Sequence, residues 1–283
     1  MPLIVEKITA ANQEEATSFL LRYEDTAVFL LGNLAEHGPR LCSHVNSGNF
    51  KLIRQNDKVV SVFCLTRRGN LLIQSSLTHS IFEYVIASCK EEPNVIRGGI
   101  GEWDVAKEFW LYLKNHEIIK KDNFHSKQIN YALNLDNLPS HASKDVRFLE
   151  ASDYPTWKAL RINYMFEQEL PNDLSDEEMY DQFVGKCERL MIWGLFVDCQ
   201  PVSVAELNAK TNSIATVGGV YTSPKFRRKG LAKTLMKGLI FDCQTKLCLH
   251  KLIIITGENE NEPAQKLYES LGCYRAGYMA LGE

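Results

Sequence analysis

The fold is decided by one stretch: Val217-Gly218-Gly219-Val220-Tyr221-Thr222-Ser223-Pro224-Lys225-Phe226-Arg227-Arg228-Lys229-Gly230-Leu231-Ala232-Lys233. A strand enters, Pro224 stops it, and a basic loop runs through Gly230 into a helix. Leu231, Leu235 and Leu239 recur at i, i+4 and i+8, with Ala232, Met236 and Ile240 beside them, while Lys233 and Lys237 fall on another face. The first turn of such a helix has amide N–H groups with no intrahelical acceptor, and the macrodipole adds partial positive charge there. A glycine at that point lets an anion approach the backbone closely. With Arg227, Arg228, Lys229 and Lys233 around it, the stretch reads as a diphosphate site. The pattern G-x-x-x-x-G-K-[ST] is absent from it, which disfavours a nucleotide triphosphatase.

Downstream, Lys251-Leu252-Ile253-Ile254-Ile255-Thr256 reads as a strand buried on both faces. With the helix before it as a crossover, it should run parallel to the strand ending at Thr222, completing a β-α-β unit. The next segment, from Asn259 to Cys273, reads as a helix. Asn261 stands as its cap, Pro263 in its first turn, Gly272 as its stop, and Ala264, Leu267 and Leu271 as its apolar stripe, with Tyr268 at the stripe's border.

Outward from this unit, the second half reads helix, helix and three strands before the β-α-β core. Asp153 caps the first helix, and Ser175 with Glu178 forms a capping box for the second. The strands fall at 190–197, 201–208 and 213–222, and a last one runs near 274–281. The first half repeats that order. Asn12 with Glu15 has capping-box spacing, a second helix spans 26–36, strands fall at 50–54, 58–66 and 70–75, and helices near 79–90 and 104–115 bracket a short strand at 95–96 before a strand near 129–135. Both halves therefore read α-α-β-β-β-α-β-α-β, a repeat of pattern rather than of sequence. The polar segment 137–144 marks the boundary. The expected fold class is α/β, of the α+β kind, with tandem domains at 1–140 and 145–283, each a mixed central sheet flanked by helices.

These two stretches resemble the GNAT superfamily of N-acetyltransferases. The family's pyrophosphate pattern [Q/R]-x-x-G-x-[G/A] is met by Arg227, Gly230 and Ala232, and its later pattern N-x-x-A-x-x-L-Y-x-x-x-G by Asn261, Ala264, Leu267, Tyr268 and Gly272. Cys273 departs from the aromatic usual at the next position. The resemblance implies acetyl-CoA as acyl-donor cosubstrate. It implies a slot where the first strand splays from its neighbour, with the backbone of Val220, Tyr221 and Thr222 along the acyl-pantetheine arm and the Val220 N–H as oxyanion donor. The amides of Arg228, Lys229, Gly230, Leu231, Ala232 and Lys233 would hold the pyrophosphate, with Arg227 opening the motif, and Asn261 would steady the other side. Tyr268 would protonate the departing thiolate, a role suited to a neutral donor. Glu206, late in its strand beside the slot, is the candidate general base, with Glu258 behind it.

In the first half, the corresponding loop Ser75-Ser76-Leu77-Thr78-His79 has neither glycine nor basic cluster, so that half reads as a degenerate copy that walls the acceptor site. Its Val95-Ile96-Arg97-Gly98-Gly99-Ile100-Gly101 run fails the dinucleotide pattern G-x-G-x-x-G at Asp104 and reads as a turn followed by an N-cap.

A net charge of -3 over 283 residues argues against general nucleic-acid binding. No apolar run approaches the length that spans a bilayer, and no secretory pattern opens the sequence. The eight cysteines form no C-x-x-C pair and read as reduced, small hydrophobes. The expected protein is cytoplasmic and free of metal, and acts on a small-molecule or peptide amine. The rival expectation is an acyl-CoA-binding module without turnover.

Overall fold

The computed structural model describes residues 2–119, 126–136, 143–170, 174–258 and 261–282. The chain runs through β1 (Ile4–Lys7), α1 (Gln13–Leu21), α2 (Glu24–His37), β2 (Gly48–Gln55), β3 (Lys58–Thr66), β4 (Asn70–Ser75), α3 (Phe82–Lys90), β5 (Gly98–Glu102), α4 (Trp103–Asn115) and β6 (Ser126–Asn134). It then repeats the order with β7 (Val146–Phe148), α5 (Tyr154–Glu167), α6 (Asp176–Glu188), β8 (Ile192–Val197), β9 (Gln200–Lys210), β10 (Ile214–Thr222), α7 (Leu231–Thr245), β11 (Lys251–Gly257), α8 (Glu262–Ser270) and β12 (Tyr274–Gly282).

The strands join into one mixed sheet in the order β1-β2-β3-β4-β5-β12-β6-β11-β10-β9-β8-β7. The parallel β10–β11 pair pairs Ile214–Val217 with Lys251–Ile254, and the first half repeats it with β4 and β5. The two halves exchange their final strands. β6 lies antiparallel to β11, β12 lies antiparallel to β5, and β6 and β12 pair with each other. Each half thus closes the sheet of the other.

Alternation along β11 explains why its sequence is apolar throughout. Leu252 and Ile254 enter the core with Leu235, Met236 and Leu239 of α7, while Ile253 enters the core built by α1 and α2 on the opposite face. α2 packs beneath β9 and β10. A Cβ built at Gly32 would stand 3.0 Å from the Cβ of Ala209, so the helix approaches the strand closely there. Lys251 bonds Asp25 Oδ1 at 2.8 Å and also pairs with Glu24, pinning the start of β11 to the start of α2.

Several expectations need correction. Each half opens on a strand absent from the sequence reading, β1 and β7, only four and three residues long and too short for a period to register. The Asn12–Glu15 capping box does not form, because Asn12 Oδ1 accepts from the Thr9 amide at 2.8 Å and both Glu15 oxygens accept from Arg54 at 2.6 Å. Asp153 closes a short 3-10 turn with Glu150 and binds Arg147 instead of capping α5. The Ser175–Glu178 box is present in both directions.

The glycine run 98–101 is strand, not turn, and Glu102 rather than Asp104 stands at the cap of α4. A Cβ on Gly101 would lie 2.7 Å from the Ile73 carbonyl oxygen, so the run is glycine-rich because backbones crowd it. Of the boundary segment, 137–142 lies outside the described residues.

Candidate functional site

β10 and β11 are paired only as far as Val217 and Ile254. Beyond that point β11 continues along β6 to Gly257, while β10 continues along β9 to Thr222. The two parallel strands therefore part, and a slot opens between them at their C-terminal ends. Within the diverging part, the β9–β10 register jumps between Gly218 and Tyr221, leaving Gly219 and Val220 out of the ladder. Gly219 has φ +57°, a left-handed conformation, and a Cβ there would meet Glu206 Cγ at 3.0 Å. The bulge turns the Val220 backbone out of the β9 ladder. By contrast, β3 and β4 pair without interruption from Ser61–Leu65 to Leu71–Ser75, so the first half has no such bulge.

After Thr222, a 3-10 turn over Pro224–Phe226 leads to Arg228 at φ +61° and Gly230 at φ +77°. Gly230 is the cap of α7, and the first intrahelical bond runs from the Thr234 amide to its carbonyl at 3.1 Å. The amides of Leu231, Ala232 and Lys233 therefore have no acceptor within the helix. No acidic residue occupies this first turn, so the dipole's positive end is uncompensated. Arg228, Lys229 and Gly230 are exposed, and the side chains around them are basic. These are the properties a diphosphate requires.

Arg227 differs from the expectation. Its side chain does not stand free for phosphate: Nη2 donates to both oxygens of Glu167 at 2.9 and 2.7 Å, and Nε donates to the Thr222 carbonyl at 2.9 Å. Tyr221 donates its hydroxyl to the same Glu167 at 2.8 Å. Burial and that carboxylate push the Tyr221 phenol up to about 12. The loop is thus fastened to the end of α5.

Tyr268 is buried in the core that also holds Leu133, Ile254 and Cys273, with its ring centroid 5.9 Å from that of Tyr131. Burial raises its pKa, and Tyr164 and Cys273 act in the same direction, so it is protonated at neutral pH. Asn261 precedes α8 as its cap, but its carbonyl, not its side chain, accepts from Ala264 and Gln265. Gln265, which the motif did not single out, holds the turn after β11 by donating to the Gly257 and Glu258 carbonyls at 2.8 and 2.9 Å. Glu258 pairs with Lys127 of β6 at 3.4 Å.

Glu206 stands beside the bulge as expected, but not as an unengaged base. Its side chain is 6% exposed, and Oε1 meets Lys186 Nζ at 2.8 Å and Arg161 Nη1 at 3.4 Å. Burial alone would raise its pKa; the two cations more than offset that, and the carboxyl is held below its ordinary value. Such a group stays ionised and is a weak proton acceptor.

A small cavity sits at this point, lined by Trp157, Arg161, Tyr164, Ile192, Glu206 and Gly219, with Val204 and Ala205 beneath. Every one of these residues belongs to the second half. Trp157, Arg161 and Tyr164 share one face of α5 at i, i+4 and i+7. In the sequence that spacing is indistinguishable from an ordinary amphipathic stripe.

Among the described residues no group of three or more His, Cys, Asp or Glu side chains could hold a metal, and no helix is long and apolar enough to cross a membrane. All eight cysteines are free, and Cys64, Cys89, Cys243 and Cys273 are buried.

Residues 156–273 match the sequence model described as Acetyltransferase (GNAT) family. Compared with curated proteins, the sequence has no significant match. Solved structures similar over the whole chain include a GNAT-family acetyltransferase from Colwellia psychrerythraea, 15% identical with a TM-score of 0.54 over 99% of each chain. A Drosophila protein is 14% identical with a TM-score of 0.65, again over 99% of each chain. A tandem GNAT protein from the clavulanic acid biosynthesis pathway is 13% identical with a TM-score of 0.52, over 99% of this chain and 97% of its own. At such identities the structural likeness speaks to the fold alone. The splayed strands, the bulge and the glycine-capped helix lie inside the matched segment, and residues 156–273 are thereby identified as a GNAT-family acetyltransferase domain.

Proposed function

We propose that the protein transfers an acetyl group from acetyl-CoA to a primary amine by direct attack in the cavity beside the Gly219–Val220 bulge. The observation that carries this reading is the continuity of three features: the slot between β10 and β11, the bulge inside it, and the unpaired first-turn amides of α7 at its mouth. The acyl donor supplies an activated thioester; the chain's residues supply the rest. The backbone of Val220, Tyr221 and Thr222 lines the donor's arm, and the Val220 N–H stabilises the negative charge that develops on the carbonyl oxygen. Backbone amides from Arg228 to Lys233, with Lys229 and Lys233 beside them, bind the pyrophosphate, and Asn261 closes the other side. Tyr268, kept protonated by burial, gives its proton to the sulfur as the C–S bond breaks. Glu206, ionised and fixed, attracts the acceptor's ammonium and orients it. The ammonium gives one proton to solvent before attack, the C–N bond forms as the C–S bond breaks, and the second proton leaving nitrogen restores the Tyr268 hydroxyl through solvent.

The first half braces this site. Its α2 lies under β9 and β10, and its β6 flanks β11 on the side away from β10. We propose that it is a copy without a cofactor site: its β4 has no bulge, and Glu83 stands in the first turn of α3, where a phosphate would need positive charge.

Calorimetric titration with acetyl-CoA, beside a folded Gly230→Glu variant, tests the reading. Micromolar binding that the variant loses supports it. Absence of binding by folded wild-type protein up to millimolar acetyl-CoA overturns it. One observation favours the second reading, donor binding without turnover: the carboxylate nearest the bulge is already paired with two cations. Release of CoA in the presence of amines separates the two.

A further inference from the structure

The cavity beside the bulge holds one carboxylate and two cations, and the cations are not equivalent. Lys186 meets Glu206 Oε1 at 2.8 Å, within charge-assisted hydrogen-bond range, and is not among the residues that line the cavity. It suffices to neutralise Glu206. Arg161 approaches the same oxygen through Nη1 only, at 3.4 Å, well beyond the 2.7–2.9 Å of a strong pair. Among the described residues this is the one hydrogen bond its guanidinium makes; the rest of the group lies toward the Tyr164 ring, 5.5 Å from its centroid, and lines the cavity. A partly buried positive charge with an unspent planar fork therefore faces the place where the acceptor must sit.

We propose that Arg161 is the anchor for a carboxylate on the acceptor, so that the substrate is a small amino acid whose ammonium points to Glu206 and the bulge while its carboxylate pairs with the Arg161 fork. The proposal rests on the acyl-transfer reading above. The fork geometry of a guanidinium matches a carboxylate in two parallel hydrogen bonds, which a simple amine lacks the means to answer. Glu206 and Arg161 stand side by side, 3.4 Å apart, as the ammonium and carboxylate of an α-amino acid do, and this fixes the orientation: Glu206 attracts the ammonium, Arg161 the carboxylate. The other walls, Trp157, Ile192, Val204 and Ala205, are apolar or aromatic and close in space, which suits a short apolar side chain. An acceptor without an anion would leave the remaining donors of the Arg161 fork partly desolvated and unanswered, so the site discriminates against it.

The test measures CoA thiol release from acetyl-CoA by the full chain, with the twenty L-amino acids and the carboxamide of each. Acetyl-CoA affinity is measured in parallel by calorimetry for wild type, Arg161→Leu and Arg161→Lys. The expected result is turnover of at least one amino acid, with kcat/KM tenfold or more above its carboxamide. Arg161→Leu should raise KM for that amino acid tenfold or more and leave KM for the carboxamide within about twofold. Arg161→Lys, which keeps the charge but loses the fork, should fall between. Acetyl-CoA affinity should be unchanged in both variants. Carboxamides turned over as well as amino acids, or an unchanged KM in Arg161→Leu, would overturn the proposal. So would bound acetyl-CoA with no amino acid accepted, although the donor reading would then stand. Loss of acetyl-CoA binding by the wild type strikes the underlying reading instead.

Discussion

Arg227 and Glu167 form a two-point pair, with Nη2 of one at 2.9 and 2.7 Å from the two oxygens of the other. It ties the loop that faces the pyrophosphate to the last residue of α5, the helix that lines the acceptor cavity. The pair also holds a negative charge close to where a dianionic group should bind. Glu167→Gln should therefore tighten acetyl-CoA binding about threefold at low salt, with the gain fading by 0.3 M salt as screening shortens the reach of the charge. Stability should fall by about 1 kcal/mol, since Tyr221 and Arg227 each lose a charged acceptor on a half-exposed residue. Calorimetry at two salt concentrations reads the first effect and thermal melts the second.

Tyr268→Phe removes one oxygen from a packed core and should leave the fold and the acetyl-CoA affinity nearly unchanged. Its effect should be confined to turnover, with kcat down about a hundredfold, the size usual for general-acid catalysis. A kcat within twofold of wild type would return Tyr268 to a packing role.

For Glu206 the sign of the pH effect follows from a folded value held below the unfolded carboxyl value near 4.3. Its stabilising contribution is complete above about pH 4.3 and is lost as the pH falls through the depressed folded value. Glu206→Gln leaves Lys186 and Arg161 without their partner. It should cost about 2 kcal/mol at pH 7, less than a fully buried pair because both cations are partly exposed. Denaturant titrations at pH 7 and pH 3 should show the gap between variant and wild type shrinking at the lower pH.

Lys251 has the opposite sign. Burial lowers its pKa, but hydrogen bonds to Asp25 and Glu24 more than reverse that, so its folded value lies above the ordinary lysine value. The stability it confers is full below about pH 10.4 and declines only as the pH rises through the raised folded value. Lys251→Met should cost about 1 kcal/mol, by an amount constant between pH 6 and pH 9 in thermal melts.

Gly98 tests the exchanged strands. A Cβ there would stand 2.1 Å from the Gly282 carbonyl oxygen, a backbone atom that cannot swing aside. Gly98→Val should cost about 3 kcal/mol. In hydrogen exchange, the amides of β12 and of β6 should lose protection together, because the two strands pair with each other. Loss confined to β5 would mean that the exchange contributes little.

The residues around Gly230 were legible because a glycine before a helix, a proline after a strand and a cluster of cations each have local causes. The parallel β10–β11 pair was legible for the same reason: a crossover helix between two strands leaves few alternatives. The exchange of β6 and β12 was not. Each is an antiparallel partner equally acceptable to β5 or β11, and nothing local states which edge it joins. Nor could the sequence show that Arg227 would be spent on Glu167, or Glu206 on Lys186 and Arg161. Those pairs join positions far apart in the chain, and ion pairing is decided by what the fold brings within reach. The bulge was half legible: the Gly218-Gly219 pair was in view, but the left-handed φ of Gly219 that turns Val220 outward required the register of β9.

The order of the strands bears on how the molecule is made. β5 finds one of its neighbours in β12, which leaves the ribosome only after α4, β6 and the whole run from β7 to α8. Until then β5 has β4 on one side and a bare edge on the other, while β6 waits for β11. The first half therefore spends the rest of synthesis without its native neighbours at that edge, the condition in which nascent chains are most exposed to wrong pairing, with β6 or with one another.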